Sequence, residues 1–383
     1  MLFFTLSSRR RRFRPVQSVS RRPRTSSSKR PKASGFSLSP RFQAWRSARS
    51  RAARLWDVDP RIQAGLLVAV VFFAMVVLPG VVAATVHQAR GAADPLASWS
   101  TSRDAQATVR VYETKVKTVV EVPRNEYLLG VLAAEINPNA PMAALQAAAI
   151  AARTYVVHAQ QVKTKGRTDA AVHAADVTDN SAVDLPWLPE TDWPQTFGDD
   201  AGVVKARLEQ AVLSTDGIIL TYQDKPILAF ITGTTNGSTR SAGGSLKTAA
   251  PYLRAVACPA DKENPVTSSK TIDRQQLAKA LGVGVDRIDV AGVRVLERDG
   301  QGYVVSVEAA GKSWTGESFA AALGLESPCF SIHKDASGLT IDVRGRGSGF
   351  GLSLHQASAW AKQGRSWGWI LERFYPGTHT SHV

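Results

Sequence analysis

From Thr108 onward the chain alternates between two periods of apolar residues. Thr108 to Val122, TVRVYETKVKTVVEV, alternates apolar and polar residues well enough to predict two strands with a turn near Glu113. Pro123 and Asn125 then open a helix over Glu126–Ile136, which Asn137-Pro138-Asn139 closes. A second helix is expected from about Pro141 to Val162, where proline suits the first turn and the many alanines permit close packing. Lys163 to Asp200 reads as loop-rich, with Pro186, Pro189 and Pro194 beside Trp187 and Trp193. Val203–Ser214 is expected to be helical, and GIILTYQDKPILAFI from Gly217 predicts a hairpin turning at Gln223-Asp224. A loop rich in glycine and hydroxyls, Thr232 to Gly244, follows. The remaining pattern predicts a helix over Thr271–Leu281 and a strand pair within Arg287–Trp314 that turns at Asp299-Gly300. A short helix over Ser318–Gly324, a strand over Gly338–Val343 and a final helix over about Leu354–Gly364 complete it. Strands and helices mix without regular βαβ alternation or internal repeat, so the expected fold class is α+β, one large mixed unit.

Upstream of that unit the pattern changes twice. Ala64 to Val86 is 23 residues without a charge, long enough for one transmembrane helix, and Pro79 is tolerable within a span. Val82-Ala83-Ala84 is small enough to be cleaved as in a signal peptide, but residues 1–62 far exceed a usual n-region. Those 62 residues hold 17 Lys and Arg against Asp57 and Asp59, whereas the other 321 carry 30 charges of each sign. The excess positive charge of the chain therefore belongs to the tail. Rich in Arg, Ser and Pro, the tail cannot bury enough surface to fold. RRRRFR at Arg9 to Arg14 could touch nucleic acid or anionic lipid, yet ahead of an apolar run it reads as a positive-inside signal, so nucleic acid is not an expected partner. This orients the N-terminus toward the cytoplasm and everything from His87 outside the membrane. The expected organisation is a disordered basic tail (1–62), a transmembrane helix (63–86), a linker (87–107) and an extracytoplasmic domain (108–383).

A single acid stands out in the exported segment. Leu128, Leu129, Val131 and Leu132 leave the helix of Glu135 little polar face, and a carboxylate at a helix C-terminus opposes the macrodipole. Both effects raise its proton affinity, as a general acid requires. The same acid could instead pair structurally with Arg153, 18 residues on, or simply sit solvated at a helix end. Cys258 and Cys329 both fall in the exported segment, where an oxidising compartment leaves a disulfide between them open. Their spacing fits no zinc ligand pattern, no histidine cluster stands out, and neither metal nor cofactor is expected. The run GRGSGFG, Gly345 to Gly351, follows a strand and precedes a helix, but nucleotides are scarce outside the membrane. It reads better as backbone approaching an extended ligand, or as a tight strand-to-helix turn. His355, just inside the following helix, reads as a surface residue rather than a ligand.

Taken together these residues resemble the SpoIID/LytB family of cell-wall proteins, the sporulation protein D and amidase-enhancer group. VPRNEYLLGVLAAEI and AAAIAARTY follow the family pattern VPxExYLxGVVAAEMP…EALKAQAVAARTY. TDGIILTYQDKPILAFITGTTNGST, PYLRAV, the LGLES segment at Leu323 to Ser327 and ILERFYPGT at Ile370 to Thr378 also come in the family's order. The resemblance implies a peptidoglycan lytic transglycosylase in which Glu135 is the catalytic acid. It also implies that Arg153 and Tyr155 hold that acid or line a groove for the glycan, with Gly347, Ser348, Gly349, Gly351 and Ser353 of the late glycine motif. Glycan strands, and a cell-wall amidase, are the partners it implies. An ordinary glycosidase uses two carboxyl groups; in a lytic transglycosylase the sugar's own C6 hydroxyl attacks, so one can suffice.

The departures are concentrated on the polar groove. The family's late motif reads GHGVGMSQYGA; here its histidine is Ser348, its glutamine Leu354 and its second-last glycine Gln356. In EALKAQA the acid becomes Ala143, the lysine Gln146 and the glutamine Ala148. The arginine before LGL is Ala320, and the serine-glycine-glycine loop is Thr235-Asn236-Gly237. The alternative expectation is therefore a glycan-binding or amidase-activating module of the same fold with weakened catalysis. The cysteine metal ligands of some relatives have no counterpart near Asp176 to Asp184.

Overall fold

A computed structural model of the chain describes residues 95–162, 174–243, 246, 250–334 and 338–383. The basic tail 1–62, the apolar run 64–86 and the beginning of the expected linker lie outside the described residues. Among the described residues no helix is long and apolar enough to cross a membrane. They all fall in one unit of the chain, Arg90–Val383; the other unit, Met1–Ala89, lies outside them.

The fold begins inside the segment read as linker, where Pro95–Thr101 is a helix, α1. Thr108–Glu113 (β1) and Thr118–Pro123 (β2) form the expected antiparallel hairpin, Thr108 opposite Pro123. Two helices follow, α2 over Arg124–Glu135 and α3 over Met142–Val162. Both are buried on most sides because their surfaces carry leucine, valine and alanine in place of charge. Small side chains such as Ala144, Ala148 and Ala151, all buried, let α3 run through the centre of the unit. The loop-rich stretch contains the two-residue strand Val177–Thr178 (β3), parallel to β1, and a helix over Trp193–Phe197 (α4). Trp187 closes this stretch onto α2: a Cβ on Gly130 would collide with the indole, so only glycine fits there.

Helix α5 (Ala201–Leu213) leads into β4 (Ile218–Tyr222) and β5 (Lys225–Pro226), joined at Gln223 and Asp224 in left-handed backbone (φ 51° and 59°) as the hairpin reading predicts. After β6 (Ile231–Thr232) and a short helix α6 (Pro259–Glu263), the chain builds a second body. Its elements are β7 (Thr267–Asp273), α7 (Arg274–Leu281), β8 (Arg294–Arg298), β9 (Val304–Ala309), β10 (Lys312–Thr315), α8 (Gly316–Leu323), β11 (Phe330–Lys334) and β12 (Gly338–Arg344). They make two antiparallel three-stranded sheets, β10-β9-β8 and β11-β12-β7. Thr271 and Ile272, read as helical, belong instead to β7, because Asp273 caps α7: its carboxylate accepts from the Gln275 and Gln276 amides while the Gln276 side chain accepts from the Asp273 amide.

The chain then returns to the first body. Strand β13 (Leu352–Ser353) pairs in parallel with β6, α9 (Leu354–Lys362) and α10 (Trp367–Phe374) pack on α3, and β14 (His379–His382) pairs with β4. The α+β expectation holds, but the unit has two hydrophobic cores. One joins α2, α3, α5 and the C-terminal helices; the other, built on Leu277, Phe319, Leu339 and Ile341, belongs to the segment inserted between β6 and β13. Arg240 ties the two together. Fully buried, it pairs with Asp299 and Glu317 of the second body (both 2.6 Å) and stacks on Phe350 of the returning glycine run, 4.3 Å from the ring centre.

Candidate functional site

Glu135 is the last residue of α2, and Ile136 beyond it is already extended (φ −114°, ψ 142°). A helix end leaves its last carbonyls without intrahelical partners. Arg346 supplies one: its Nη2 donates to the Glu135 main-chain oxygen at 3.2 Å. The guanidinium reaches there by lying over Gly233, where a Cβ would stand 2.7 Å from Arg346 Nε. Its own backbone is fixed by a two-way bridge with Thr234, whose amide donates to the Arg346 carbonyl (3.1 Å) and whose carbonyl accepts from the Arg346 amide (3.0 Å). The acid and the late glycine run, 211 residues apart, thus meet. Glu135 is partly exposed, and its proton affinity is pushed up to about 7, first by burial, with the nearby Arg346 charge pulling the other way. Such a carboxyl is protonated often enough near neutral pH to donate a proton, and reachable enough to do so.

Arg153 is not part of this arrangement. It is fully buried and reaches Asp104 Oδ2 at 2.7 Å, with Arg124 on the other carboxylate oxygen at 2.8 Å. Its remaining N–H groups go to the Ile218 and Val212 carbonyls (3.1 and 3.2 Å). The expectation that it holds Glu135 or touches glycan is therefore corrected: its charge is consumed by a carboxylate from the segment read as linker. Tyr155 is likewise buried, its hydroxyl donating to Asp184 at 2.9 Å, and does not line a groove. Within the glycine run the expectation divides. Gly347 and Ser348 are partly exposed beside Arg346. Gly349, Gly351 and Ser353 are buried, the two glycines against neighbouring chain and Ser353 on a buried carboxylate. A Cβ on Gly349 would meet the Tyr303 ring at 2.5 Å, and one on Gly351 would collide with the Phe230 carbonyl. The two cysteines are free thiols, both buried. Cys258 donates to the Val256 carbonyl (3.4 Å) while Cys329 accepts from Asn236 (3.3 Å), so each sulfur is held by its own partner and no disulfide joins them.

Sequence reasoning missed Arg346, which hides among glycines, and a buried carboxylate, Asp261. Asp261 Oδ2 accepts from the Thr235 amide (2.8 Å), the Thr235 hydroxyl (2.7 Å) and the Ser353 hydroxyl (2.8 Å). Its other oxygen lies 2.9 Å from His355 Nδ1. His355 is thus more than a surface residue: one ring nitrogen is bound to a buried acid. Among the described residues no group of histidine, cysteine and acidic side chains could hold a metal ion.

The family profile described as stage II sporulation protein matches residues 112–222, from β1 to the end of β4. Stage II sporulation protein D of Bacillus subtilis (strain 168) is 30% identical over 286 residues, which are 74% of this chain and 81% of that one. This chain belongs to the stage II sporulation protein D family. The protein of the same name from Bacillus amyloliquefaciens is 29% identical over 300 residues, 78% of this chain and 84% of that one. An uncharacterized protein of Brachyspira hyodysenteriae is 26% identical over 270 residues, covering 70% and 68%. For this member of the sporulation protein D family, the profile match spans α2 and α3 entirely and so includes Glu135, whereas Arg346, Asp261 and His355 lie beyond it.

Proposed function

We propose that this chain is a membrane-anchored, extracytoplasmic cell-wall protein with a sporulation-related role, and that it cleaves peptidoglycan glycan strands as a lytic transglycosylase with Glu135 as proton donor. The observation that carries the reading is the pairing of a partly exposed, high-affinity proton site on Glu135 with an exposed arginine from the late glycine run. Protonated Glu135 gives its proton to the glycosidic oxygen as the C1–O bond breaks. Negative charge then appears on the carboxylate beside Arg346, so the arginine stabilises the state after transfer more than the state before it, which lowers the barrier. The C6 hydroxyl of the same sugar closes on C1 and releases its proton, leaving a 1,6-anhydro end, and the Glu135 carboxylate is one group able to take that proton. Gly347 and Ser348, partly exposed next to Arg346, are the section of the glycine run that this reading assigns to the glycan backbone. The basic tail and the apolar run 64–86 supply the anchor, with the N-terminus in the cytoplasm.

The test is product chemistry. Peptide-stripped glycan strands incubated with the purified full chain are expected to yield 1,6-anhydro products by mass spectrometry, and Glu135→Gln is expected to yield none. Strands that pellet with the protein but stay intact would replace this reading with a glycan-binding or amidase-activating module, which the burial of Gly349, Gly351 and Ser353 favours.

A further inference from the structure

We infer that His355, held by Asp261, is a second proton acceptor of the Glu135 site and takes the proton of the attacking hydroxyl. The inference rests on the reading of Glu135 given above. Asp261 is 0% exposed and His355 is 40% exposed on its side chain, so the pair joins a dry carboxylate to a ring that reaches solvent. Three hydrogen bonds fill Asp261 Oδ2, one of them from a backbone amide that can only donate. A carboxylate is acceptor-only, so the hydrogen between Oδ1 and the ring sits on Nδ1. Nε2 is then left as a lone-pair acceptor.

Gly233 places the main chain of His355. The His355 amide donates to the Gly233 carbonyl at 3.1 Å, and the same glycine carries the Arg346 guanidinium on its Cα. Arg346 in turn holds the end of α2 at Glu135. His355 and Arg346 are therefore neighbours of one residue, and Glu135 is the next neighbour of Arg346.

The pair is not needed as a clamp. Helix α9 is already fastened to α6 by Ser353 on Asp261 and by the Gln356 side chain, which accepts from the Ala260 amide at 2.8 Å; both residues are buried. Of the three, only His355 is partly exposed. In the second half of the reaction the C6 O–H bond breaks as O6 bonds to C1. The proton passes to Nε2, giving an imidazolium that the Asp261 carboxylate stabilises.

The experiment uses the full chain and peptide-stripped glycan, with product, glycan pelleting and melting temperature read on each variant. His355→Asn keeps an N–H for Asp261 but lacks the Nε2 acceptor. It is expected to lose product formation by about 100-fold or more, with pelleting and melting unchanged, and added imidazole is expected to restore product to His355→Ala and not to Glu135→Gln. Product from the wild type, none from Glu135→Gln and near wild-type product from His355→Asn would overturn this inference alone. An inactive wild type would overturn it together with the reading of Glu135.

Discussion

Arg346 caps the helix that ends in Glu135, donating to the main-chain oxygen of the same residue whose side chain it biases electrostatically. A cation at a helix C-terminus is favourable in itself, so one arginine both stabilises the end of α2 and tunes the acid on it. Removing it is expected to raise the proton affinity of Glu135 further, since its charge works against burial. In Arg346→Ala the alkaline limb of the pH–rate profile should move upward by up to about one unit, while the rate on the plateau falls because the carboxylate left after transfer loses its partner. Arg346→Lys should lie between. An unshifted limb in Arg346→Ala would show that the two residues do not communicate.

The raised proton affinity also has a sign in stability. Below pH 4.5, its ordinary value, Glu135 is protonated in both folded and unfolded chains and contributes no pH dependence. Between 4.5 and about 7 the unfolded chain ionises while the folded one resists, so folding is progressively penalised, and above 7 the penalty is constant. Glu135→Gln removes it. The variant and wild type should melt together at pH 4, and the variant should be the more stable by up to about 3 kcal/mol at pH 8. Equal melting at both pH values would place the wild-type acid in ordinary solvent.

Asp104 is the buried counter-ion of two arginines, Arg124 and Arg153, and neither it nor Arg153 is accessible. Breaking such a group by removing one partner leaves uncompensated charge in a dry core, at a cost of about 3–5 kcal/mol. Asp104→Ala should lower the melting temperature by that equivalent, measured by calorimetry or circular dichroism. Its folded fraction should pellet with glycan as the wild type does, because the cluster ties the start of α2 and the middle of α3 to the α5–β4 connection, away from Glu135. Selective loss of glycan pelleting would return Arg153 to the binding site.

What was legible in the sequence follows from how far apart the cooperating residues lie. Helices α2 and α3 declare themselves by local periodicity, and with them the place of Glu135 at a helix end. The partner of Arg153 was hidden because Asp104 lies 49 residues earlier, in a polar stretch whose composition looks like linker. Asp261 and His355 are 94 residues apart, and Arg346 is 211 residues from Glu135, so no window along the chain contains either pair. The division into two cores was hidden for a related reason: alternation marks a strand as half-buried without saying which sheet shares its face. Glycines in the late run were legible as close approach, but whether backbone or ligand does the approaching was decided by Phe230 and Tyr303, both distant in sequence.

The thiols supply a last test, independent of the catalytic reading. Burial pushes the Cys258 thiol up to about 12, with the Asp261 charge adding to it, and burial raises Cys329 as well. At pH 8 the reactive thiolate of Cys258 is then a fraction of roughly 1 in 10,000. A soluble disulfide reagent at pH 8 should therefore label neither cysteine of the native chain within the time it takes to label both after denaturation. Mass spectrometry of the intact chain counts the adducts. Rapid labelling of either thiol in the native protein would mean that the segment carrying it opens locally. Because Cys258 immediately precedes α6, which bears Asp261, opening at Cys258 would undo the support of His355 at the same time.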